Sequence, residues 1–381
     1  MERFADDVGV SAGPLAGLQV LELAGIGPAP FCGMMLADMG ADVIRVDRVG
    51  GHPDGWDTSP VLERGRRSIA LDLKEPAGIA AVLRLVERAD VLIEGFRPGV
   101  TERLGIGPHE CLARNRRLVY GRVTGWGQAG PYAATAGHDI TYLATSGALH
   151  AIGTPDSGPV APLNLLGDFG GGGMLLAFGV LCAVIHARGT GCGQVVDAAI
   201  VDGTVALTGL IQGLLAGGAW EDRRGVNLLD GGAPFYGTYA CADGRHVAVG
   251  ALERKFFDAL TERLGVSSEP EFTDDHTHRS AWPAMRRRLA EVFATRTRDE
   301  WHELFRDTDC CVAPVLSLIE ARADEHNAAR NVFCDVGGER QPAPAPRFSA
   351  TPAGAPRPAP APGADTDEIL RGLDGRAPDE P

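Results

Sequence analysis

Through the first half of the chain, short runs of apolar residues alternate with longer stretches in which apolar positions recur every third or fourth residue. The runs Leu18 to Leu23, Val43 to Val46, Ser68 to Leu73, Val91 to Glu94, Leu118 to Thr124 and Gln194 to Ala198 predict strands. Pro30 to Met39 and Pro76 to Arg88 predict helices between them. Repeated strand, helix and strand is the pattern of a parallel sheet with helices on its faces, so this half reads as an α/β, Rossmann-like large domain. Ile140 to Leu149 is a further amphipathic stretch, and an apolar helix is expected after Gly170 to Gly173, as far as about Ala187. From about Asn227 the texture changes. Thr238 to Cys241 and His246 to Val249 flank Asp243-Gly244, a strong hairpin turn. Helical patterns follow at Phe256 to Leu264, Pro283 to Ala294 and Arg298 to Phe305, then a strand at Val312 to Leu316, which together predict a smaller α+β domain.

These elements divide the chain into a large domain over 1–200, a linker helix over 201–226, the small domain over 227–330 and a C-terminal strap over 331–381. Gln341 to Gly363, rich in Pro and Ala, predicts extended chain, and Asp365 to Leu373 one short helix. Gly25-Ile26-Gly27-Pro28-Ala29-Pro30 follows the first strand but is no dinucleotide fingerprint. Pro30 stands where close helix packing wants a third glycine, and the acidic ribose ligand is not in place.

At 381 residues, 44% hydrophobic and 23% charged, the chain has ample core for two domains, which excludes disorder as the main reading. No apolar run in the sequence reaches the roughly 18 to 20 residues of a membrane span. Met174 to Ile185 contains glycine and stops at His186 and Arg188. The acidic start, Met1 to Asp7, lacks a signal-peptide apolar segment, so a cytoplasmic protein is expected. A net charge of −14 argues against nucleic acid as a partner. A smaller anion needs only a local cluster, and Arg45, Arg48, Arg64, Arg66, Arg67, Lys74, Arg97 and Arg103 supply one that suits a phosphate-bearing ligand. Eight cysteines include no CxxC pair, and adjacent Cys310-Cys311 would fit a buried strand, so neither a metal site nor a disulfide framework is expected.

Three Gly-framed stretches carry isolated proton-transfer groups: Gly137-His138-Asp139-Ile140, Asn164 to Phe169 followed by four glycines, and Val249 to Glu253. An imidazole and carboxylates without a metal-ligand spacing or a nucleophilic Ser or Cys suit an enzyme that moves protons on and off carbon. His138 is placed at a helix N-terminus, where the dipole favours the neutral imidazole that accepts a proton. Taken alone it would read as a structural histidine. Asp168 reads either as an N-cap or as a functional carboxylate, the four glycines letting a ligand approach the backbone. Asn164, four residues earlier, is positioned to donate to it. Glu253, past a strand at a helix start, would alone be a routine surface carboxylate.

Leu21-Glu22-Leu23-Ala24-Gly25, Ala41 to Arg48, Gly125-Trp126-Gly127-Gln128, Gly137-His138-Asp139-Ile140 and Leu229 to Pro234 resemble, in that order, the family III CoA-transferase superfamily and within it the α-methylacyl-CoA racemases. The resemblance implies an interlocked homodimer whose strap returns to the large domain. It implies an acyl-CoA thioester substrate, with CoA held by Arg48, by Leu71, Asp72, Leu73 and Lys74, by Gly95, Phe96 and Arg97, by Arg103, and by Gly137 to Tyr142. No separate cofactor is implied, CoA being part of the substrate. Catalysis is implied at Asp168, with His138 and Asn164 following the racemase pattern and Glu253 reaching across the dimer interface to orient His138. Together these groups suggest a two-base racemase working through a thioester enolate, with the backbone N–H of Asp139 as the oxyanion donor. The runner-up is a CoA-transferase with Asp168 as nucleophile, and a third reading is a non-catalytic acyl-CoA-binding protein. Two departures stand out. Only six methionines are available to line an acyl path, the likely lining around Leu207 to Leu215 being rich in Leu and Gly. Arg254-Lys255 follows Glu253, so two positive charges would compete with His138 for its carboxylate.

Overall fold

The computed structural model describes residues 13–51, 59–273 and 275–374; the acidic N-terminal segment weighed above lies outside them. Strands β1 (Gln19–Leu23), β2 (Asp42–Arg48), β3 (Arg67–Leu71), β4 (Val91–Glu94), β5 (Val119–Thr124) and β6 (Val195–Ala199) form one sheet, ordered β3-β2-β1-β4-β5-β6. Every neighbouring pair is parallel. Parallel pairs need crossovers, and α1 (Pro28–Asp38), α2 (Pro76–Val86), α3 (Val100–Leu104) and α4 (Pro108–Arg114) lie in those connections. The strands are apolar on consecutive residues because both faces are covered. Val20, Val43, Val91, Ile93 and Val119 enter one core cluster, while Leu21, Leu23, Val46, Ile69 and Leu92 enter another with Val82 and Leu85 of α2.

The chain continues through α5 (Asp139–Ser146), α6 (Ala148–Ala151), a π-helix over Leu166–Met174, α7 (Leu175–Thr190), α8 (Ile200–Leu207) and α9 (Gly209–Ala216). It divides into two compact units. One draws on Met1–Ser146, Leu163–Leu207 and Asn331–Pro381, the other on Gly147–Pro162 and Thr208–Arg330. The linker read as one helix over 201–226 is therefore two, broken at Thr208-Gly209, and the division falls at that break. Residues 147–162, expected in the large domain, belong to the second unit, where Arg224 Nε donates to His150 O at 2.7 Å. Their Gly-, Ala- and Pro-rich chain carries no sustained period that would have revealed this.

The second unit holds the antiparallel strands β7 (Tyr236–Ala240), β8 (His246–Gly250) and β9 (Val312–Pro314). Helices α10 (Arg254–Leu264), α11 (Pro270–Thr273), α12 (Trp282–Phe293), α13 (Arg298–Phe305) and α14 (Glu325–Ala329) complete it around an aromatic core of Phe235, Phe257, Phe272, Trp282, Phe293 and Trp301. A reciprocal capping box between Thr297 and Glu300 starts α13. The C-terminal segment opens with a hairpin, β10 (Phe333–Val336) and β11 (Glu339–Pro342), so Gln341 is paired strand where extended chain was expected. It then runs beside β3, Gly65 N donating to Arg357 O and Ser68 N to Asp365 Oδ2, and ends in α15 (Thr366–Leu373).

One expectation on apolar length is overturned. The helical run Leu163–Thr190 spans 28 residues and is apolar enough by composition for a membrane span, because the glycine-rich stretch ahead of the expected apolar helix is itself helical. Leu176, Val180, Ala183, Val184 and Ala187 of that run are buried in the core of the sheet-bearing unit. Cys310 and Cys311 are not a buried strand either: Cys310 is buried, Cys311 is exposed with φ 53°, and β9 begins after them.

Candidate active site

In open parallel sheets the crevice lies at the carboxyl ends of the strands, where the order reverses, because the flanking crossovers leave in opposite directions. Here the reversal falls between β1 and β4. A cavity of about 530 Å³ occupies that place. Its walls are Ile26 to Pro28 after β1, Gly95 to Pro98 after β4, Thr124 to Trp126 at the end of β5, and Ile200 after β6. Gly137, His138, Tyr142, Asn164 and Asp168 complete the lining, so the structure gathers these sequence-predicted residues in one cavity.

His138 is exposed and immediately precedes α5; its carbonyl accepts the N–H groups of Thr141 and Tyr142. Thr141 Oγ1 accepts the His138 N–H at 3.0 Å and donates to its carbonyl at 2.7 Å, which fixes the backbone on which the imidazole is mounted. As first-turn residues, Asp139 and Ile140 have N–H groups with no intrahelical acceptor. Tyr142 closes the wall, its ring edge-on to Trp126 at 4.7 Å. A Cβ on Gly125 would fall within 2.0 Å of that ring, which accounts for the first glycine of Gly125-Trp126-Gly127-Gln128.

Asp168 is not an N-cap: it sits inside the π-helix. Leu163, at φ 61°, and the non-helical Asn164 set the entry to that turn. Asn164 Nδ2 donates to Asp168 Oδ2 at 3.3 Å, and Asp139 Oδ1 accepts the Asp168 N–H at 2.7 Å. Burial pushes the Asp168 carboxyl above its usual range; the Asn164 hydrogen bond opposes this, the Asp139 carboxylate adds to it and His138 opposes it. Gly27, the N-cap of α1 at φ 71°, lies where a Cβ would touch Asp168 Oδ2 at 3.4 Å.

Three of the four glycines after Phe169 serve packing, where ligand access was expected. Gly171, Gly172 and Gly173 are buried, and they face protein. A Cβ on Gly171 would meet Thr204 Oγ1 at 2.7 Å, one on Gly172 Pro28 Cβ at 3.0 Å, and one on Gly173 the Pro28 carbonyl at 2.8 Å. These three glycines therefore let the backbone carrying Asp168 nest against α1 and α8.

Most of the predicted CoA residues lie at or just after strand ends on the carboxyl edge, with Arg103 in α3 and Gly137 and Tyr142 at α5. Arg48 closes β2 opposite Leu71 of β3, and both Arg48 and Asp72 are exposed. Leu73, Lys74 and Arg103 line a groove of about 590 Å³ over α2, while Gly95, Phe96 and Arg97 line the cavity itself. Glu94, buried at the end of β4, accepts the Phe96 N–H at 2.6 Å and the Arg122 guanidinium at 2.7 Å, which shapes that turn. The wider basic cluster is not one anion site. Arg45 pairs with Asp47 and Glu63, Arg64 with Asp38 and Arg66 with Glu22, all buried, and Arg67 pairs with Asp42. Sequence proximity could not separate internal ion pairs from phosphate grips, since both use guanidinium forks.

Glu253 lies in the second unit as N-cap of α10, exposed, and its side chain makes no capping hydrogen bond. Of the two positive residues that follow, Arg254 pairs with Asp258 at 2.8 Å, and Lys255 Nζ stands over the Phe256 ring at 4.5 Å. Sequence reasoning missed Gly27, the Trp126 wall and the carboxylate of Asp139. Asp139 had a signal in its place directly after His138, but only its N–H drew attention.

A family model described as CoA-transferase family III matches residues 15–366. The chain is 46% identical to the alpha-methylacyl-CoA racemases of Mus musculus and Homo sapiens, over 89% of this chain and 87% of each of theirs. It superposes on the crystal structure of a CAIB/BAIF family protein from Brucella suis with a TM-score of 0.82 at 28% identity, covering 95% of this chain and 100% of that one. With a Rossmann-like sheet, a cavity at its switch point and a match across nearly the whole sequence, the chain belongs to CoA-transferase family III.

Proposed function

We propose that this protein is an isomerase that interconverts the (R) and (S) forms of a 2-methylacyl-CoA by 1,1-proton transfer. The observation that carries this reading is the presence of His138 and Asp168 in one cavity, each on a separately braced backbone. The α-carbon lies between them. One base removes the α-proton, the C–H electron pair passes into a thioester enolate, and the other base delivers a proton to the opposite face. Such an enolate needs a fixed donor at its oxygen, and one preorganised donor contributes on the order of 3 kcal/mol. The Asp139 N–H, in the first turn of α5, is suited to that position. A transferase needs Asp168 alone, so the imidazole beside it favours the racemase.

CoA is assigned to the carboxyl edge, from Arg48 and Lys74 to Phe96 and Arg97. Replacing Arg48 with Ala is expected to raise KM about tenfold with kcat within about twofold, since a phosphate grip far from the reacting carbon binds ground and transition states alike. A fall in kcat alone in steady-state kinetics would move Arg48 into the catalytic set. We also assign a homodimer. Met174 at the start of α7 and Phe178, Cys182 and Ile185 within it form an exposed apolar stripe, the kind of surface a second copy would cover, and Glu253 of that copy would orient His138.

The test is incubation with one enantiomer of a 2-methylacyl-CoA in D2O, following the α-proton by NMR. Exchange with appearance of the other enantiomer is expected. No exchange across short, branched and sterol-like thioesters, in protein that still binds CoA, would overturn the racemase and direct the search to an acyl adduct on Asp168.

A further inference from the structure

We propose that the Asp139 carboxylate is a positioning residue that ties the two proton-transfer groups into one rigid unit, by holding the backbone amides of Gly167 and Asp168 from the residue next to His138. The inference rests on the racemase reading for its consequence, but on geometry for its existence. Asp139 Oδ1 accepts the Asp168 N–H at 2.7 Å. The Gly167 amide also faces this carboxylate and favours its ionised form. Gly167 is buried, and a Cβ there would stand 2.3 Å from Asp139 Oδ1, so the approach demands glycine. A π-helix bonds each N–H to a carbonyl five residues back, which leaves its first amides in need of outside acceptors. A carboxylate meeting two N–H groups supplies them with charge-assisted hydrogen bonds.

This clamp does two things. It sets the spacing between the bases, because a residue adjacent to one is bonded to the backbone of the other. It also places a negative charge beside Asp168 without touching its carboxyl oxygens. The groups bearing on that carboxyl are Asn164 from the preceding turn, His138 just ahead of α5, Asp139 and Tyr142 within it, and Gly27 ahead of α1. Among them Asp139 raises the Asp168 pKa, while Asn164 and His138 lower it.

The experiment compares Asp139→Ala and Asp139→Asn with wild type. Asn keeps a side-chain oxygen for the amides and loses the charge. α-Proton exchange is read separately for each enantiomer, the Asp168 side being the one whose exchange an Asp168→Asn variant loses. Asp139→Ala is expected to slow exchange on the Asp168 side at least about 30-fold more than on the His138 side at saturating substrate. Asp139→Asn is expected to recover most of that rate. Its acid limb should move to lower pH, because a carboxylate that has lost a negative neighbour ionises more easily. Amide hydrogen exchange at Gly167 and Asp168 should speed up in the Ala variant and stay slow in the Asn variant. Equal losses on both sides, an unshifted acid limb in the Asn variant, or unchanged amide protection in the Ala variant would overturn the clamp. Absence of α-exchange in wild type would overturn the racemase reading instead and leave the amide measurement to judge the clamp alone.

Discussion

An Asp168→Asn variant is expected to lose interconversion of the enantiomers by at least about 10³-fold, yet to keep exchanging the α-proton of one of them with solvent deuterium. The amide is isosteric and can still accept from Asn164, so the cavity should survive; what it cannot do is take a proton from carbon. Removal by His138 needs no help from Asp168. A proton taken by an exposed imidazole exchanges with D2O and returns as deuterium to the face it left. One enantiomer should therefore gain label with its configuration retained, and the other should be inert. Proton NMR, combined with chiral separation of the recovered acid, reads both. Loss of exchange from both enantiomers in protein that binds CoA normally would mean that His138 is no independent base. That result would point to Asp168 as nucleophile, the transferase chemistry.

The contrast between bases and scaffold explains what the amino-acid sequence reveals. Strand positions are legible because a parallel sheet covered on both faces needs apolar residues on successive positions, and Val91 to Glu94 is read to the residue. His138, Asn164 and Asp168 are legible because their types are rare in such surroundings and the family motif marks them. The π-helix is not legible: its glycines look like a loop, and only the nearness of Pro28 and Thr204 shows that they are packing surfaces. The buried arginines fail for a related reason. Arg64 is held by Asp38 and by Gln341 and Pro342, one partner 26 and another 277 residues away, and no local pattern carries that information. The gap between Ser146 and Leu163 adds a third kind of blindness, since a segment without period can join either unit.

If the glycine nest holds Asp168 in place, Gly203→Val should damage the fold as severely as any single change in this unit. A Cβ on Gly203 would lie 1.9 Å from the Gly171 carbonyl oxygen and 2.7 Å from its carbon. Both obstacles are backbone, so no rotamer relieves them, and α8 must withdraw from the π-helix. Overpacking against side chains costs about 1 to 3 kcal/mol, and rigid backbone puts this case at about 3 kcal/mol or beyond. At roughly 2 to 4 °C per kcal/mol, Tm should fall by about 6 °C or more in a circular dichroism melt. Because the displaced backbone carries Asp168, α-exchange on the Asp168 side should fall further than the melt alone explains at a temperature where the variant is folded. Gly209→Ala is the control: its Cβ would meet nothing within 4 Å, and its Tm should be unchanged or slightly raised. A Gly203→Val protein melting within about 2 °C of wild type would mean that α8 has room to move, and that Asp168 is held by Asp139 and Asn164 without the nest.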